Sequence, residues 1–495
     1  MHRHTFYKLV SGTEIAVQSG ASNEYIPPQN IDATYIVKAE NTADPCPYVS
    51  PSLTISPMDT CIILGNYVWE DLDNDGVQDG SEPPLENVTV TLYECNSNTK
   101  GNALSTIMTD GTGFYQFRGF PPGEYCVEFN ASTATAANAA TLVSTRMNST
   151  SGDNTSDSDI DSNGCSQGVT LASGDDYPDL DAGFYTKSKV GDFVWEDRNA
   201  NGIQDMGEPG IEGVQVTLTG TDGSGANVNE TVTTDGTGMY MFGDLDPGNY
   251  VVTFENPSGY APTVLDDPNS NGDDTSDSDA DPDNMLSTAS FTLQSADTIP
   301  TLDAGFYKLS KIGDVVWEDR NGNGIQDLGE PGIENVNVTL TGTDGLGNSV
   351  NTTIQTDANG MYMFGDLLPG NYQVTFGQPT GFEPTALDDP SSNGDDTSDS
   401  DADPDDGLKA PAVTITSGDT IPDIDAGFYK LGKIGDLAWE DSNGNGVQDI
   451  GEPTFSNLNV TLTGTNGLGN SITPITIQTD GNGMYMFGDL PPGEY

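Results

Sequence analysis

Positive charge is what this chain has least of. Its 495 residues carry 15 Lys and Arg against 77 Asp and Glu, a formal net charge of -62. Phosphate recognition runs on clustered Lys and Arg, so the balance excludes a nucleic-acid partner and argues against an anionic membrane surface. Histidine is nearly missing, with only His2 and His4, and the five cysteines are Cys46, Cys61, Cys95, Cys126 and Cys165. A Ser/His/Asp or Cys/His constellation therefore cannot recur along the chain, and no catalytic residues are expected. No run of eighteen apolar residues is present, so direct membrane insertion is not expected in this fragment. No basic region followed by an apolar one marks a signal peptide either. The 59 Gly and 30 Pro leave little room for long helices.

What the chain does have is a long internal repeat. The four tryptophans, Trp69, Trp195, Trp317 and Trp439, recur at intervals of 126, 122 and 122 residues, each inside a segment such as VWEDRNANGIQDMGEP. A period of that length indicates tandem modules rather than a solenoid. In the third copy an apolar run from Ile312 to Trp317 leads into an acidic loop. The alternating VNVTLTG follows, with Val336, Val338 and Leu340 on one face. Period two argues a half-buried strand. The strand VNTTIQT, two aromatic strands bounded by Asn359-Gly360 and Pro369-Gly370, VTIT and a closing DIDAGFY complete about seven short strands, the pattern of a β-sandwich. The expected organisation is all-β: a non-repeat leading segment over 1–61, which reads as the end of another β domain, then repeats at 62–187, 188–309 and 310–431, and a truncated fourth at 432–495. The joints between copies hold six of the ten lysines and are too short to behave as free coil.

The segment after each tryptophan has the spacing of a calcium loop, with oxygen ligands at positions 1, 3, 5, 7, 9 and 12 and Gly at 6 for the sharp turn. Copy one supplies Asp71, Asp73, Asp75, Val77, Asp79 and Glu82; copy two Asp197, Asn199, Asn201, Ile203, Asp205 and Glu208. Copy three supplies Asp319, Asn321, Asn323, Ile325, Asp327 and Glu330; copy four Asp441, Asn443, Asn445, Val447, Asp449 and Glu452. Position 7 acts through its backbone carbonyl. Hard oxygen donors without His or Cys suit Ca2+ over zinc, and the full ligand set suits Ca2+ over Mg2+. Strand and Glu-Pro flanks, rather than helices, exclude a helix-opening sensor.

A candidate second metal cluster follows later in each copy. Asp266, Asp267, Asp273, Asp274, Asp277, Asp279 and Asp281 crowd one loop of copy two, and Asp388, Asp389, Asp395, Asp396, Asp399, Asp401 and Asp403 the same loop of copy three. Without cations such a loop is expanded by repulsion; with them it folds back on the sandwich. Copy one keeps only part of this pattern. Cys95 ends one expected strand and Cys126 begins another, which makes them a candidate disulfide closing about thirty residues and worth roughly 3 to 4 kcal/mol. Cys46 with Cys61 is a further candidate pair, and Cys165 is left over.

The IGDxVWEDxNGNGIQDxGEPGI opening, the TDxxGxYxFxxLxPGxY middle and the DAGFY ending resemble the calcium-binding B-repeat domains of serine-aspartate repeat surface adhesins, within the collagen-adhesin B-type sandwich class. The resemblance spans residues 62–495. It implies an extracellular tandem array of Ig-like, prealbumin-like β-sandwich modules that bind Ca2+ and serve as a stalk or spacer of a secreted or cell-surface protein. An extracellular matrix or host surface protein is the partner it implies for the adhesin. Two other readings stay open: modules that themselves contact such a ligand, and a non-catalytic appendage of a secreted enzyme.

Overall fold

The computed structural model describes residues 61–147, 155–265, 276–387 and 398–495, together with the backbone of five strands within residues 2–55. Those five, His2–Val10, Thr13–Gly20, Ala33–Asn41, Tyr48–Val49 and Leu53–Ile55, form one antiparallel sheet. From residue 62 onward the described residues form a tandem series of all-β units, copies two and three each built as a sandwich of two sheets. Helix among the described residues is confined to 3-10 turns such as Pro282–Asn284 and Pro404–Asp406, and none is long and apolar enough to cross a membrane.

Copy two shows the plan. One sheet runs in the order Met239–Leu245, Ser188–Glu196, Ala304–Tyr307, Ala261–Pro262, with Thr298–Ile299 also on Ser188–Glu196; the other runs Asn227–Thr233, Gln215–Asp222, Gly248–Phe254, Phe291–Leu293. Copy three repeats both sheets. The seven expected strands are all present. Two more, in copy three Glu383–Pro384 and Thr420–Ile421, are two-residue pairings too short to leave a periodic signal.

The opening and closing strands lie side by side and parallel, with Val194 opposite Ala304 and Glu196 opposite Phe306. This pairing puts the DAGFY glycine against the tryptophan. A Cβ on Gly305 would meet the Trp195 ring at 2.8 Å and the Thr263 methyl at 2.7 Å, so only glycine fits there; Gly427 and Trp317 repeat the contact. Trp69, Trp195 and Trp317 are fully buried. Separate apolar cores gather around Val90, Leu92 and Phe129, around Val216, Leu218 and Phe254, and around Val338, Leu340 and Phe376. Leu462, Phe487 and Leu490 form a smaller one in copy four.

The joints differ from the short connectors expected. The opening strands reach back to Ser188 and Ser310, two fully buried residues whose hydroxyls donate to the carbonyls of Gln294 (2.6 Å) and Thr416 (2.7 Å). Each joint is therefore largely sheet. In copy one Cys95 and Cys126 are disulfide-bonded, with Cα atoms 5.6 Å apart on the neighbouring strands Thr89–Asn96 and Gly123–Asn130. Cys165 forms no disulfide, and Cys46 lies outside the described residues.

Candidate metal centre

The loop after each tryptophan is folded around its first aspartate. Asp197 is fully buried; its Oδ2 accepts from Gly202 N at 2.9 Å and its Oδ1 from Asn201 N at 3.3 Å. Asp71 and Asp319 are buried in the same way, and their Oδ2 atoms accept from Gly76 N (3.0 Å) and Gly324 N (2.9 Å). Gly202 and Gly324 have φ of 86° and 85°, the left-handed turn that the glycine at position 6 was expected to provide. The glutamate at position 12 closes the loop. Glu208 accepts from Arg198 N at 2.7 Å through Oε1 and from Asp205 N at 3.0 Å through Oε2; Glu82, Glu330 and Glu452 make the same pair of bonds.

Positions 3, 5 and 9 differ between copies in a way charge explains. In copy two the amides of Asn199 and Asn201 donate to Asp205 Oδ2 at 2.7 and 3.2 Å. Asn321 and Asn323 do so to Asp327, and Asn443 and Asn445 to Asp449. Copy one has aspartates instead, which cannot donate. There Asp71, Asp73 and Glu82 bring carboxylate oxygens within 4.8 Å of one another. Burial, with repulsion among these acids, pushes the carboxyls of Asp71 and Glu82 well above the usual range. Copy four contrasts: its loop is exposed, and backbone donation led by Gly446 holds Asp441 below the usual value.

The later acidic segment meets this loop. Position 7 forms an isolated β-bridge with an aspartate of that segment, Val77 with Asp157, Ile203 with Asp277 and Ile325 with Asp399. The bridge in copy two is held by Gln204 N to Ser276 O at 2.6 Å and Ser278 N to Gly202 O at 3.1 Å. Asp279 then accepts from Asp303 N at 2.7 Å, and Asp303, from the closing strand, accepts from Phe193 N at 2.9 Å. Burial first and the neighbouring Asp192 second raise Asp303 to about 9; Asp425 is raised to about 8 by burial in the matching place. In copy one Asn66 stands where copies two and three have Asp192 and Asp314, and it donates to Asp181 at 3.4 Å.

Of the second cluster, Asp277, Asp279, Asp399 and Asp401 thus sit beside the first loop. Asp281 and Asp403 instead cap short turns, accepting from Asp283 N and Asp405 N at 2.8 Å. Asp266, Asp267, Asp273, Asp274, Asp388, Asp389, Asp395 and Asp396 lie outside the described residues.

The model of the SdrD B-like domain matches residues 62–184, 188–306, 310–428 and 432–495. The chain belongs to the SdrD B-like domain family. It is 41% identical over 441 residues to serine-aspartate repeat-containing protein D of Staphylococcus aureus strain Newman, covering 87% of this chain and 30% of that protein. With serine-aspartate repeat-containing protein F of Staphylococcus epidermidis it shares 39% identity over 460 residues, 90% of this chain and 24% of the relative. The chain thus spans under a third of the relatives' length. Among solved structures, the major pilin subunit BcpA of Bacillus cereus aligns over 75% of this chain and 99% of its own at 9% identity, with a TM-score of 0.26.

Two kinds of residue in these SdrD B-like copies escape a reading of loop spacing. Thr145, Thr263 and Thr385 are buried and donate their hydroxyls to the Oδ2 of Asp71, Asp197 and Asp319, at 2.6 Å in the last two. Asp192 and Asp303, with Asp314 and Asp425, reach the site from the opening and closing strands. Their only sequence signal is recurrence at the same place in copies two and three, because the fold brings Thr263 to Asp197 across 66 residues and Asp303 to Phe193 across 110.

Proposed function

We propose that the chain is a calcium-stabilised stalk segment of a cell-surface protein, outside the cell and without catalytic activity of its own. The observation that carries this reading is the repetition of one oxygen-donor loop, pinned by position 12 in every copy. Catalysis or ligand reading needs one such site; stiffening a row of units needs one in each. The family assignment and the serine-aspartate repeat-containing relatives support the surface location.

Asp197, Asn199, Asn201, the Ile203 carbonyl, Asp205 and Glu208 hold one Ca2+ in copy two, with the matching residues in the other copies. Asp192, Asp277, Asp279 and Asp303 are suited to a second cation in copy two, and Asp314, Asp399, Asp401 and Asp425 in copy three. The donors fit: they are hard oxygens, and buried neighbouring carboxylates such as Asp303 keep their protons until a cation offsets the cost of charging them. Ca2+ supplies that charge. The protein's part is to hold the donors in place through the backbone bonds described above. A cation present at 100 times its dissociation constant stabilises its unit by about 2.7 kcal/mol, a large share of a domain's margin. Calorimetry with and without EDTA tests the reading: the melting transitions should fall by many degrees on chelation and recover with Ca2+ more than with Mg2+. Transitions unmoved by EDTA would sink it.

A further inference from the structure

The candidate loops of copies one, two and three do more than close on themselves: the next copy sits on each. In copy three the strand Asn337–Asp344 is followed by Gly345, and a Cβ there would lie 1.8 Å from the carbonyl oxygen of Asn199, position 3 of the loop in copy two. Gly223 meets Asp73 O of copy one in the same way, at 1.7 Å, and Gly467 meets Asn321 O of copy three at 2.0 Å. These glycines have no left-handed φ, so close approach of two backbones is what requires them. Copy one follows the non-repeat leading segment, and there Ser97 occupies the place after the strand Thr89–Asn96.

A second contact falls on the residue beside it. Ser417 of copy three donates its N–H to Arg198 O at 2.9 Å and its hydroxyl to Glu196 Oε1 at 2.6 Å, while that hydroxyl accepts from Lys308 N at 2.8 Å. Ser295 repeats the set one junction earlier: N–H to Leu72 O at 2.8 Å, hydroxyl to Glu70 Oε1 at 2.7 Å, and acceptance from Thr186 N at 2.9 Å. Within copy two Lys308 steadies the same glutamate, with Nζ 3.4 Å from Glu196 Oε2 and 4.5 Å from the Tyr260 ring centre; within copy three Lys430 does so for Glu318 at 3.1 Å and lies 4.6 Å from the Phe382 ring.

We propose that each loop is the docking surface for the following copy of the same chain, so that one peptide segment serves both the metal site and the junction. Arg198 shows the link. Its N–H is bound by Glu208, the position 12 carboxylate, and its carbonyl by Ser417 of the next copy. Displacing Glu208 therefore moves the seat of copy three. The partner is a unit with glycine after its second strand and serine in its Ser-Ala-Asp or Ser-Gly-Asp turn, which copies two and three both have. The link from cation to junction rests on the calcium reading above; the interlock itself does not.

Hydrogen exchange read by mass spectrometry on the full chain tests it, for Gly345→Val and separately Ser417→Ala, each in Ca2+ and in EDTA. In Ca2+ both variants should lose protection in peptides spanning Lys308 to Lys311 and Thr414 to Asp419, while Gln215–Asp222 and Gly248–Phe254 of copy two stay as slow as in the parent. The parent in EDTA should lose protection in the same junction peptides. If Gly345→Val also exposes Asn337–Asp344, copy three has unfolded and Ser417→Ala decides. Junction peptides unchanged in Ser417→Ala overturn the interlock. An interlock lost in the variants but indifferent to EDTA in the parent overturns the link to the cation and leaves the docking surface standing.

Discussion

The threonine that caps the first aspartate is where a single atom decides most. Thr263 Oγ1 donates to a carboxylate that is itself fully buried, and no other side-chain hydroxyl bonds Asp197 among the described residues. Hydrogen bonds to charged groups are worth about 1.5 to 3 kcal/mol. Thr263→Val should therefore destabilise copy two by about that much and weaken its Ca2+ affinity, measured by calorimetry and by titration of the full chain, with Thr219→Val, at an exposed position of the same copy, as a nearly silent control. The fold of the loop itself was legible from spacing, because its turn at Gly202 and its closure by Glu208 both lie within twelve residues of Asp197. The threonine was not: its bond spans 66 residues, and nothing local marks a hydroxyl that acts at that distance.

Among elements, the hairpins and the disulfide carry the argument. Alternation in VNVTLTG fixed which face of Asn337–Asp344 is buried, and Val338 and Leu340 are fully enclosed. Turn dipeptides located the aromatic strands for the same local reason. Pairing between distant strands has no such local cause, and the parallel contact of the opening and closing strands was not legible. The Cys95 to Cys126 bridge, by contrast, joins strands that lie adjacent in copy one, its sequence separation of 31 enclosing two further strands, Thr99–Met108 and Phe117–Phe120. Cys126→Ala should lower the stability of copy one by roughly 3 to 4 kcal/mol and leave copies two and three unchanged, since those have no cysteine. Separate transitions in calorimetry before and after reduction check both halves of that expectation.

For the whole molecule the excess of negative charge becomes a pH dependence. Asp181, Asp303 and Asp425 are raised from 3.8 to about 8, about 9 and about 8, chiefly by burial. A carboxyl raised in the folded state keeps its proton where the unfolded chain has lost it, so the native state binds more protons between the two values. Stability of the metal-free chain should accordingly be greatest at the acid end of that window and fall as pH rises from about 4 towards 9. Urea denaturation in EDTA at pH 5 and pH 8 measures this; a higher midpoint at pH 8 would contradict it. Saturating Ca2+ should flatten the slope, because the cation takes over from the proton. The remaining acids, many of them exposed, repel one another across the copies.

The sequence by itself determined the repeat, visible as matching segments, and the alternating strands and loop composition, features whose causes act within about a dozen residues. Only the tertiary structure decided that Asp303 and Asp192 join the later aspartates, that Gly305 makes room for Trp195, and that the loop of one copy seats the next. Each of these depends on two segments being brought together by the pairing of strands far apart in the chain, and backbone hydrogen bonds of that kind leave no periodicity for the sequence to display.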